Sequence, residues 1–371
     1  MSSIGGAQRV ASELLDALEA HPGIKLHKVI QRSAWRWIYP RTFGFEFSLP
    51  FRLPRAVKRG EIDFVLFTSM MTAIPTVVSE KKIHSAGAKI GAIALGMEVT
   101  HPFPINQVFL RKMFRALDAV FPISRATGEE CLVRGLPERN MHVIPCGIDL
   151  GYFERLADRA ESGEDARKVE EVRPPNDAFL LFSVGRHVRR KGFGWFIEHV
   201  LPNLPDDVHY WIAGKGPETP NIRQLIGQLG LQERVRLLGT VDEEQLHRLY
   251  RAADLYIMPN IKVPGDIEGF GVVMLEAGLR GLPTVAAEID GIRDVIVDGE
   301  NGRFCPSGDA QAFKDAILAL KEDRKELERI AARAPGFVRD KFSWEAVADR
   351  FVVEMSRACG RETIEPSKAT V

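Results

Sequence analysis

The strongest constraint on the fold is a regular alternation of short apolar runs with longer helix-like stretches. In the second half of the chain the apolar runs occupy 179–184, 208–213, 235–238, 255–258 and 284–287. The first half has the same rhythm, with apolar runs at 63–67, 89–95, 119–123 and 142–145. Short apolar runs separated by helical sequence are typical of parallel strands joined by crossover helices. The sequence therefore predicts an α/β protein with parallel sheets.

Length and one charged segment predict the domain organisation. With 371 residues the chain is long enough for two domains, each with its own core. Residues 155–176 are rich in charge and poor in apolar side chains, and we interpret them as an interdomain linker. The predicted domains are residues 1–165 and 175–342. Ser343 is the predicted N-cap of a further helix over 343–358.

Composition argues against several classes of protein. The chain has 50 basic and 50 acidic residues, so its net charge of zero does not favour nucleic-acid binding. It has no run of about 18 apolar residues, and its N-terminus lacks the basic-then-apolar layout of a signal peptide. We therefore expect a cytoplasmic protein. The wide spacing of the cysteines disfavours a zinc site or disulfides and favours buried thiols at Cys131, Cys146, Cys305 and Cys359.

Two carboxylates flank a glycine-rich turn in the segment 266–278. Glu268 precedes Gly269, Phe270 and Gly271, and Glu276 lies on the helix that is predicted to follow. The glycines allow the backbone to approach a ligand closely, and amides at a helix N-terminus suit a phosphate or a polyhydroxyl group. The two acids are thus placed to contact different parts of one extended ligand, such as the sugar and the ribose of an activated sugar.

The alternative is that Glu268 and Glu276 are ordinary charges that flank an amphipathic helix. The buried stripe of that helix would consist of Val272, Val273, Leu275 and Leu279. The segment taken alone leaves both interpretations open.

A basic segment follows the strand predicted at 179–184. Gly185 ends that strand, and Arg186 and Lys191 lie five residues apart in the loop before the next helix. Two cations near a helix N-terminus favour binding of a diphosphate. Arg189 and Arg190, which lie between them, are interpreted as solvated loop residues.

Together these segments resemble the family 4 retaining glycosyltransferases, which have the GT-B fold. The resemblance extends from Gly5 to about Met355 and is closest in the C-terminal half. The motifs that carry it are Gly5-Gly6 before a helix, Pro145-Cys-Gly-Ile-Asp149, Val184-Gly-Arg186 to Lys191-Gly192, Gly214-Lys-Gly-Pro217, Leu238-Gly-Thr-Val241 and Glu268-x7-Glu276.

The family fold implies two Rossmann-like domains with mainly parallel sheets that face an interdomain cleft. The first domain would be the acceptor side, and the second would bind the nucleotide sugar. The resemblance also implies that the helix 343–358 crosses back onto the first domain.

The resemblance assigns roles to the residues that match the motifs. The diphosphate would be bound by Arg186 and Lys191, and the ribose by Glu276. The transferred sugar would be bound by Glu268 with the turn formed by Gly269, Phe270 and Gly271. The backbone of Thr240 and Val241 would bind the base, and the Gly5-Gly6 loop would approach the donor phosphates or the acceptor. No metal or other cofactor is required, because two cations and a helix terminus take the place of a divalent ion.

Two departures from the family pattern concern the first domain. Family members begin with a buried strand ahead of the Gly-Gly loop, whereas only four residues precede Gly5 here. Either the start is truncated or the first sheet lacks a strand. Relatives also carry a histidine where this chain has Leu95. His101, six residues further on, is the candidate substitute at the reacting sugar, and the alternative is a solvated loop histidine. The catalytic candidates are then Arg186, Lys191, Glu268 and His101.

The segment 32–59 combines cations with aromatic rings and has one acid, Glu46. The cations are Arg32, Arg36, Arg41, Arg52, Arg55, Lys58 and Arg59, and the interleaved aromatic residues are Trp35, Trp37, Phe43, Phe45, Phe47 and Phe51. This mixture suits an anionic lipid surface or an anionic acceptor. The alternatives are a mobile loop of the acceptor cleft and aromatic residues that belong to the core.

The sequence thus predicts a retaining glycosyltransferase that moves a sugar from a nucleotide-diphosphate sugar to a hydroxyl acceptor. The acceptor class stays open between a glycan, a lipid-linked molecule and a small molecule. A non-catalytic sugar-nucleotide-binding protein and a GT-B epimerase are the alternatives. A dehydrogenase is disfavoured because no Gly-x-Gly-x-x-Gly follows a predicted strand. We expect a cytoplasmic enzyme, and contact with the inner face of the membrane is one of the interpretations that segment 32–59 leaves open.

Overall fold

The computed structural model describes residues 6–30, 38–60, 62–100, 104–160, 173–174 and 178–361. The chain divides into two compact units. Unit 1 comprises Met1–Gly147 and Trp344–Val371, and unit 2 comprises Ile148–Ser343. In the described part of the chain, every helix is too short or too polar to cross a lipid bilayer.

Unit 1 contains a parallel sheet in the order β1-β2-β3. Its strands are β1 (Phe64–Phe67), β2 (Lys89–Ala94) and β3 (Ala119–Pro122). Its helices are α1 (Gly6–Ala20), α2 (Ile38–Gly60), α3 (Thr76–His84), α4 (Met97–Thr100), α5 (Pro104–Ala116), α6 (Arg125–Val133) and α14 (Trp344–Ala358). Buried side chains of β2 such as Ile90 pack with Leu53 of α2 and Phe114 of α5, which makes one core.

The last helix, α14, packs against the first helix within unit 1. Trp344 Nε1 donates a hydrogen bond to Glu13 Oε2 at 2.7 Å, and His21 Nε2 lies 2.9 Å from Asp349 Oδ1. The indole ring of Trp344 also lies against Gly147, where an added Cβ would come within 2.4 Å of the ring. The glycine of the 145–149 motif is therefore needed for this packing.

The prediction of a strand at 142–145 is wrong. His142 N and Ile144 N donate to Val120 O and Pro122 O, but the only bridge assigned in this described stretch is the isolated pair Val120 and Met141. Pro145 has no amide hydrogen, so the ladder cannot continue past it.

The cysteine prediction holds for three of the four residues. Cys131, Cys146 and Cys305 are buried free thiols, whereas Cys359 is half-buried. Burial raises the pKa of Cys131, Cys146 and Cys305 to about 12. These three groups are therefore protonated and unreactive at neutral pH.

Unit 2 is built on a parallel sheet in the order β6-β5-β4-β7-β8-β9. Its strands are β4 (Phe179–Val184), β5 (Val208–Ala213), β6 (Val235–Gly239), β7 (Leu255–Met258), β8 (Thr284–Ala287) and β9 (Gly302–Cys305). Its helices are α7 (Leu150–Ala160), α8 (Phe193–His199), α9 (Thr219–Gln228), α10 (Glu243–Ala252), α11 (Val272–Leu279), α12 (Ala310–Glu322) and α13 (Arg324–Phe342). The segment predicted as a linker, 155–176, thus begins inside α7.

The strand order of unit 2 reverses at β4, which has β5 on one side and β7 on the other. In open parallel sheets a ligand binds outside the carboxyl ends of the strands at such a reversal. The loop after β4 (185–192) and the loop after β7 (259–271) both begin there. These loops carry the cations and the first carboxylate that the sequence singled out.

Glycines let the loops at this edge approach one another by backbone contact. Gly192 has a left-handed φ of 68°, and an added Cβ would lie 1.8 Å from Pro259 O. Gly214, after β5, has a φ of 112°, and an added Cβ would lie 2.0 Å from Gly185 O. A larger residue at either position would push the loops apart.

We expect Gly192→Ala to lower the free energy of unfolding of unit 2 by about 2–4 kcal/mol, because it combines a disfavoured φ with a backbone collision. Gly194→Ala is the matched control. It lies in α8, and its Cβ would meet nothing closer than Ile222 Cγ1 at 3.9 Å. Because alanine favours the helix, the control should be as stable as the wild type or about 0.5–1 kcal/mol more stable. Urea denaturation of both variants checks this, and equal destabilisation by both would contradict it.

Candidate active site

Lys191 is fixed by the local structure of the loop after β4. Residues Arg189–Lys191 form one turn of 3-10 helix, which ends at left-handed Gly192. Ile261 N, in the loop after β7, donates to Arg190 O at 3.0 Å. The turn is thus hydrogen-bonded to the second loop, and the Lys191 side chain is held in the interior with only 9% of its surface exposed.

The carboxylate of Glu268 is the centre of a buried polar cluster. Its Oε2 atom lies 2.7 Å from Lys191 Nζ and accepts a hydrogen bond from Asn260 Nδ2 at 2.9 Å. Arg190 Nη1 donates to the same oxygen, and Arg190 Nε donates to Asp266 Oδ1 at 2.9 Å. The Glu268 side chain is only 10% exposed. Two cations thus meet two carboxylates, and the four charges sum to zero.

Opposing effects set the pKa of Glu268. Burial, the largest single effect, raises the pKa, but the charges of Lys191 and Arg190 and the hydrogen bonds from Lys191 and Asn260 together lower it below the usual value. Glu268 is therefore ionised at neutral pH and accepts hydrogen bonds only.

The backbone around Glu268 is held by the loop after β8. Glu268 N donates to Asp290 Oδ2 at 3.0 Å, and Gly291 N donates to Glu268 O at 3.0 Å. Asp290 has a left-handed φ of 47°, a conformation that aspartate adopts at a cost. Burial raises the pKa of Asp290. A strained residue thus fixes the direction in which the 268–271 turn leaves the sheet.

Glu276 is buried on α11. Tyr250 OH, from α10, donates to Glu276 Oε2 at 3.0 Å, and Arg280 Nη1 donates to Glu276 O at 3.1 Å. The Arg280 guanidinium also lies 5.2 Å from the centre of the Tyr250 ring. Both Glu268 and Glu276 are thus buried and hydrogen-bonded. Burial is the largest cause that raises the pKa of Tyr250 well above its ordinary value, so this hydroxyl remains a donor.

The interpretation of Arg190 as a solvated loop residue is wrong. Its side chain forms ion pairs with Asp266 and Glu268, whereas Arg189 is exposed as predicted. Arg186 is exposed too, and within the described residues its guanidinium has no hydrogen bond or ion pair. The loop therefore carries two exposed cations, Arg186 and Arg189, one half-buried cation, Arg190, and one buried cation, Lys191.

Sequence reasoning missed Arg190, Asn260, Asp290 and Tyr250 as members of the site. A usable signal existed for two of them. Asn260 and Asp290 are polar residues that follow β7 and β8 within three residues, at the sheet edge where ligands bind.

The remaining predicted donor residues lie at the same edge of unit 2 or in its turns. Thr240 and Val241 follow β6, and Gly239 O accepts from Gly214 N at 2.6 Å. Phe270 points into the core, where its ring centre lies 5.9 Å from that of Phe342. Only the Phe270 backbone can therefore contact a ligand. Gly271 is left-handed and directly precedes α11.

The predicted residues of unit 1 are only partly described. Gly5 and His101 lie outside the described residues, and Gly6 is the first residue of α1. At the family's histidine position, Leu95 N donates to Glu98 Oε1 at 3.1 Å, and Met70 N donates to the same oxygen at 3.0 Å. Burial raises the pKa of Glu98. Glu98 thus ties the loop after β2 to the loop after β1.

Comparison with known proteins identifies the family. The profile described as Glycosyl transferases group 1 matches residues 164–337, and the profile described as Glycosyltransferase Family 4 matches residues 4–152. The chain belongs to the family 4 glycosyltransferases. The family predicted from the motifs is thereby confirmed.

Relatives from this family are moderately similar over part of their length. The chain is 35% identical over 178 residues to the lipopolysaccharide core biosynthesis glycosyltransferase LpsE of Rhizobium meliloti, covering 48% of this chain and 50% of LpsE. It is 37% identical over 166 residues to the phosphatidyl-myo-inositol mannosyltransferase of Mycobacterium leprae, covering 44% of this chain and 42% of that relative. It thus spans about half the length of these two relatives. The chain is 27% identical over 335 residues to a GDP-mannose-dependent alpha-(1-6)-phosphatidylinositol monomannoside mannosyltransferase of Mycolicibacterium smegmatis. This match covers 88% of this chain and 85% of that relative.

Solved structures show the fold of this family 4 member. The complex of HepE from Anabaena with UDP matches with a TM-score of 0.71 at 20% identity, covering 95% of this chain and 96% of that one. Sucrose-phosphate synthase from Thermosynechococcus elongatus matches with a TM-score of 0.68 at 20% identity, covering 94% and 92%. The fold is GT-B, with parallel sheets in two α/β units, as predicted.

Neutralising Glu268 should destabilise unit 2. Glu268→Gln leaves the buried Lys191 and the half-buried Arg190 with one fewer negative partner, so we expect the free energy of unfolding at pH 7 to fall by about 3 kcal/mol. Asp266→Asn is the matched control, because Asp266 pairs with the same arginine but its side chain is 47% exposed. The control should lose about 0.5–1 kcal/mol at most.

The pH dependence has a defined sign. Because the pKa of Glu268 is lowered in the folded protein, its ionised form contributes to the free energy of unfolding above the ordinary carboxylate pKa. This contribution is lost as the pH falls through the folded-state pKa. The stability difference between wild type and Glu268→Gln should therefore shrink on acidification. Denaturant titrations from pH 7 down to about pH 3, which extends below the ordinary carboxylate pKa, measure this. A difference that grows towards acid pH would contradict it.

Proposed function

We propose that the protein is a retaining glycosyltransferase that moves a sugar from a nucleoside-diphosphate sugar to a hydroxyl acceptor. The observation that carries this proposal is the buried cluster of Glu268 with Lys191 and Arg190 at the strand reversal of unit 2. The cluster combines cations that can bind a diphosphate with an ionised carboxylate that can accept hydrogen bonds from sugar hydroxyls. Unit 2 would hold the donor, and unit 1 would hold the acceptor.

The diphosphate would be bound by Lys191, by Arg186 and by the amides at the start of α11. The Lys191 ammonium group is buried, so little water competes with it for the negative charge that develops on the leaving group. Arg186 is exposed and can contact a phosphate from solvent. The two cations and the positive end of α11 act together on the same charge.

The two buried acids would hold the two ends of the donor. Glu276 would accept hydrogen bonds from the ribose hydroxyls, and Glu268 would accept them from the hydroxyls of the transferred sugar. The backbone of Thr240 and Val241 would contact the base. Because Tyr250 already occupies one oxygen of Glu276, the direction of that carboxylate is set before the donor arrives.

The reaction would proceed on one face of the sugar. The bond between the anomeric carbon and the diphosphate oxygen breaks as the acceptor oxygen bonds to the same carbon from the same side. The leaving phosphate oxygen takes the proton of the acceptor hydroxyl, so configuration is retained. The acids are not assigned as the acid and nucleophile of a hydrolase, because such a pair flanks a glycosidic bond without accompanying phosphate-binding cations.

The acceptor would be a lipid-linked molecule of the cell envelope. Two kinds of observation support this: relatives named for lipopolysaccharide and phosphatidylinositol glycosylation, and the surface of α2. Leu49, Leu53 and Val57 of α2 are buried on one side of the helix. Phe47 and Phe51 are 70% and 53% exposed on the other side.

The exposed side of α2 also carries the basic residues. Helical spacing places Arg55, Lys58 and Arg59 beside the two phenylalanines, and all three are exposed. Exposed aromatic rings with cations on one helical face suit an anionic lipid surface. We therefore propose peripheral membrane contact through α2.

Removing either proposed phosphate cation should slow turnover. Arg186→Ala and Lys191→Ala should each lose about 2–4 kcal/mol of transition-state stabilisation, because both act on charge that grows on the leaving group. Arg189→Ala is the control in the same loop, and its kcat/KM should stay within about twofold of the wild type, which is the scale of an exposed charge. A screen of UDP-, GDP- and ADP-sugars first identifies the donor for these measurements.

The same screen separates the alternatives. A wild-type protein that binds donors but never turns them over would support the binding-only hypothesis. A sugar that changes configuration without an acceptor would support an epimerase. Normal kcat/KM in both Arg186→Ala and Lys191→Ala would contradict their assignment to the diphosphate.

Membrane contact should depend on the exposed face of α2. Phe47→Ser combined with Phe51→Ser should weaken binding to vesicles that contain phosphatidylglycerol by about tenfold or more, since even partial insertion of each ring contributes about 1 kcal/mol. Val133→Ser is the control, because Val133 of α6 is 75% exposed but lies outside α2. Vesicle co-sedimentation measures both, and equal binding by all three proteins would contradict the proposal.

A further inference from the structure

The ammonium group of Lys191 has two different partners, Glu268 in the structure and the donor diphosphate in the proposed function. In the structure, its Nζ atom lies 2.7 Å from Glu268 Oε2, with both side chains in the interior. In the function proposed above, the same ammonium group binds the donor diphosphate. If Lys191 left Glu268 and no other cation contacted that carboxylate, an ionised group would remain buried without a counter-ion, which is strongly unfavourable.

Arg190 contacts the same oxygen of Glu268 but is held differently. Its Nη1 donates to Glu268 Oε2, while its Nε donates to Asp266 Oδ1 at 2.9 Å. Its backbone oxygen accepts from Ile261 N at 3.0 Å. Arg190 is therefore fixed to the loop after β7 through both its backbone and its side chain. Of its three partners there, Ile261 N, Asp266 and Glu268, only Glu268 also contacts the Lys191 side chain.

We propose that Arg190 is a positioning residue that keeps Glu268 paired and oriented while Lys191 turns from Glu268 to the donor diphosphate. Asn260 Nδ2, at 2.9 Å, would remain as the second donor to Glu268 in that state. The inference rests on the proposed function. It adds an exchange in which Lys191 leaves Glu268 for the diphosphate, and it assigns a role to Arg190, which directly precedes Lys191 in the chain.

The surroundings of Glu268 determine what loss of Arg190 does to its titration. The charged and titratable groups that face it are Lys191, Arg190, Asp266, Asp290 and Tyr256. Of these, only Lys191 and Arg190 lower the pKa of Glu268 by their charge. Without Arg190 the pKa of Glu268 rises, and it rises further when Lys191 leaves for the phosphate.

The sign of the kinetic effect follows from the role of Glu268. Glu268 acts in its ionised form, so activity is lost as the pH falls through its pKa. Removal of Arg190 raises that pKa, and the acid limb of the kcat/KM profile should therefore move to higher pH.

The test compares Arg190→Gln with Arg189→Gln and with the double variant Arg190→Gln/Glu268→Gln. Calorimetry with UDP, GDP and ADP identifies the nucleoside diphosphate that the wild type binds most tightly, and this free nucleotide is the probe. Arg190→Gln should bind it about tenfold more weakly or worse, because Lys191 must leave an otherwise unpaired carboxylate. Arg189→Gln should bind within about twofold of the wild type.

The double variant separates partner exchange from a merely structural role. Removing the charge of Glu268 frees Lys191, so the double variant should regain binding to within about threefold of the wild type. Its turnover should stay low, because the sugar contact is lost. An Arg190→Gln that binds like Arg189→Gln, a double variant as weak as Arg190→Gln, or an acid limb that does not move would each overturn the inference.

Failure of the inference and failure of the proposed function give different results. A wild-type protein that binds none of the three nucleotides overturns the proposed function and the inference with it. A wild-type protein that binds a nucleotide and turns over its sugar, while Arg190→Gln behaves like the control, overturns the inference alone.

Discussion

The ion pairs that Glu268 forms with Lys191 and Arg190 are the interaction on which the rest of the candidate site depends. Burying a carboxylate is costly, and two cations from the loop after β4 offset that cost. These contacts join two loops that are far apart in the chain. The ionised carboxylate of Glu268 and the buried ammonium group of Lys191 are the two groups that the proposed sugar-diphosphate donor would contact.

Backbone packing makes this pairing possible. The loops after β4 and β7 meet because Gly192 has no side chain to collide with Pro259, and the loop after β5 joins them because Gly214 lies against Gly185. The turn at 268–271 is held from a third side by Asp290. The strand reversal at β4 brings the loops to one edge, and these contacts set their separation. The chemistry of the site is therefore a consequence of sheet topology combined with close backbone approach.

The sequence predicts the sheet of unit 2 well and the contacts of the site less well. Strands β4, β5, β7 and β8 match the predicted bounds, because fully buried parallel strands are continuous apolar runs. Strand β9 was not predicted, since the interior pair Arg303 and Phe304 is only half-buried and breaks the apolar run. The segment 142–145 is apolar enough for a strand, but Pro145 ends its hydrogen bonding.

Within the site, motif spacing predicts that Glu268, Glu276 and Lys191 belong together, but it does not predict which neighbours hold them. Arg190 stands in an Arg-Arg-Lys run that is typical of a solvated loop. Its partners Asp266 and Glu268 lie 76 and 78 residues away, so only the tertiary structure distinguishes it from Arg189. Tyr250 is likewise separated from Glu276 by 26 residues. Long-range pairings of this kind leave no periodic signal in one sequence.

A crystal structure of the protein with a bound nucleoside diphosphate is the most direct test of the partner exchange at Lys191. We predict that Lys191 Nζ lies within hydrogen-bond distance of a phosphate oxygen, about 2.7–3.2 Å, and that Glu268 keeps its contacts with Arg190 and Asn260. The diphosphate should lie at the carboxyl ends of β4 and β7. A nucleotide bound elsewhere, or a diphosphate at this edge with Lys191 still paired only with Glu268, would contradict it.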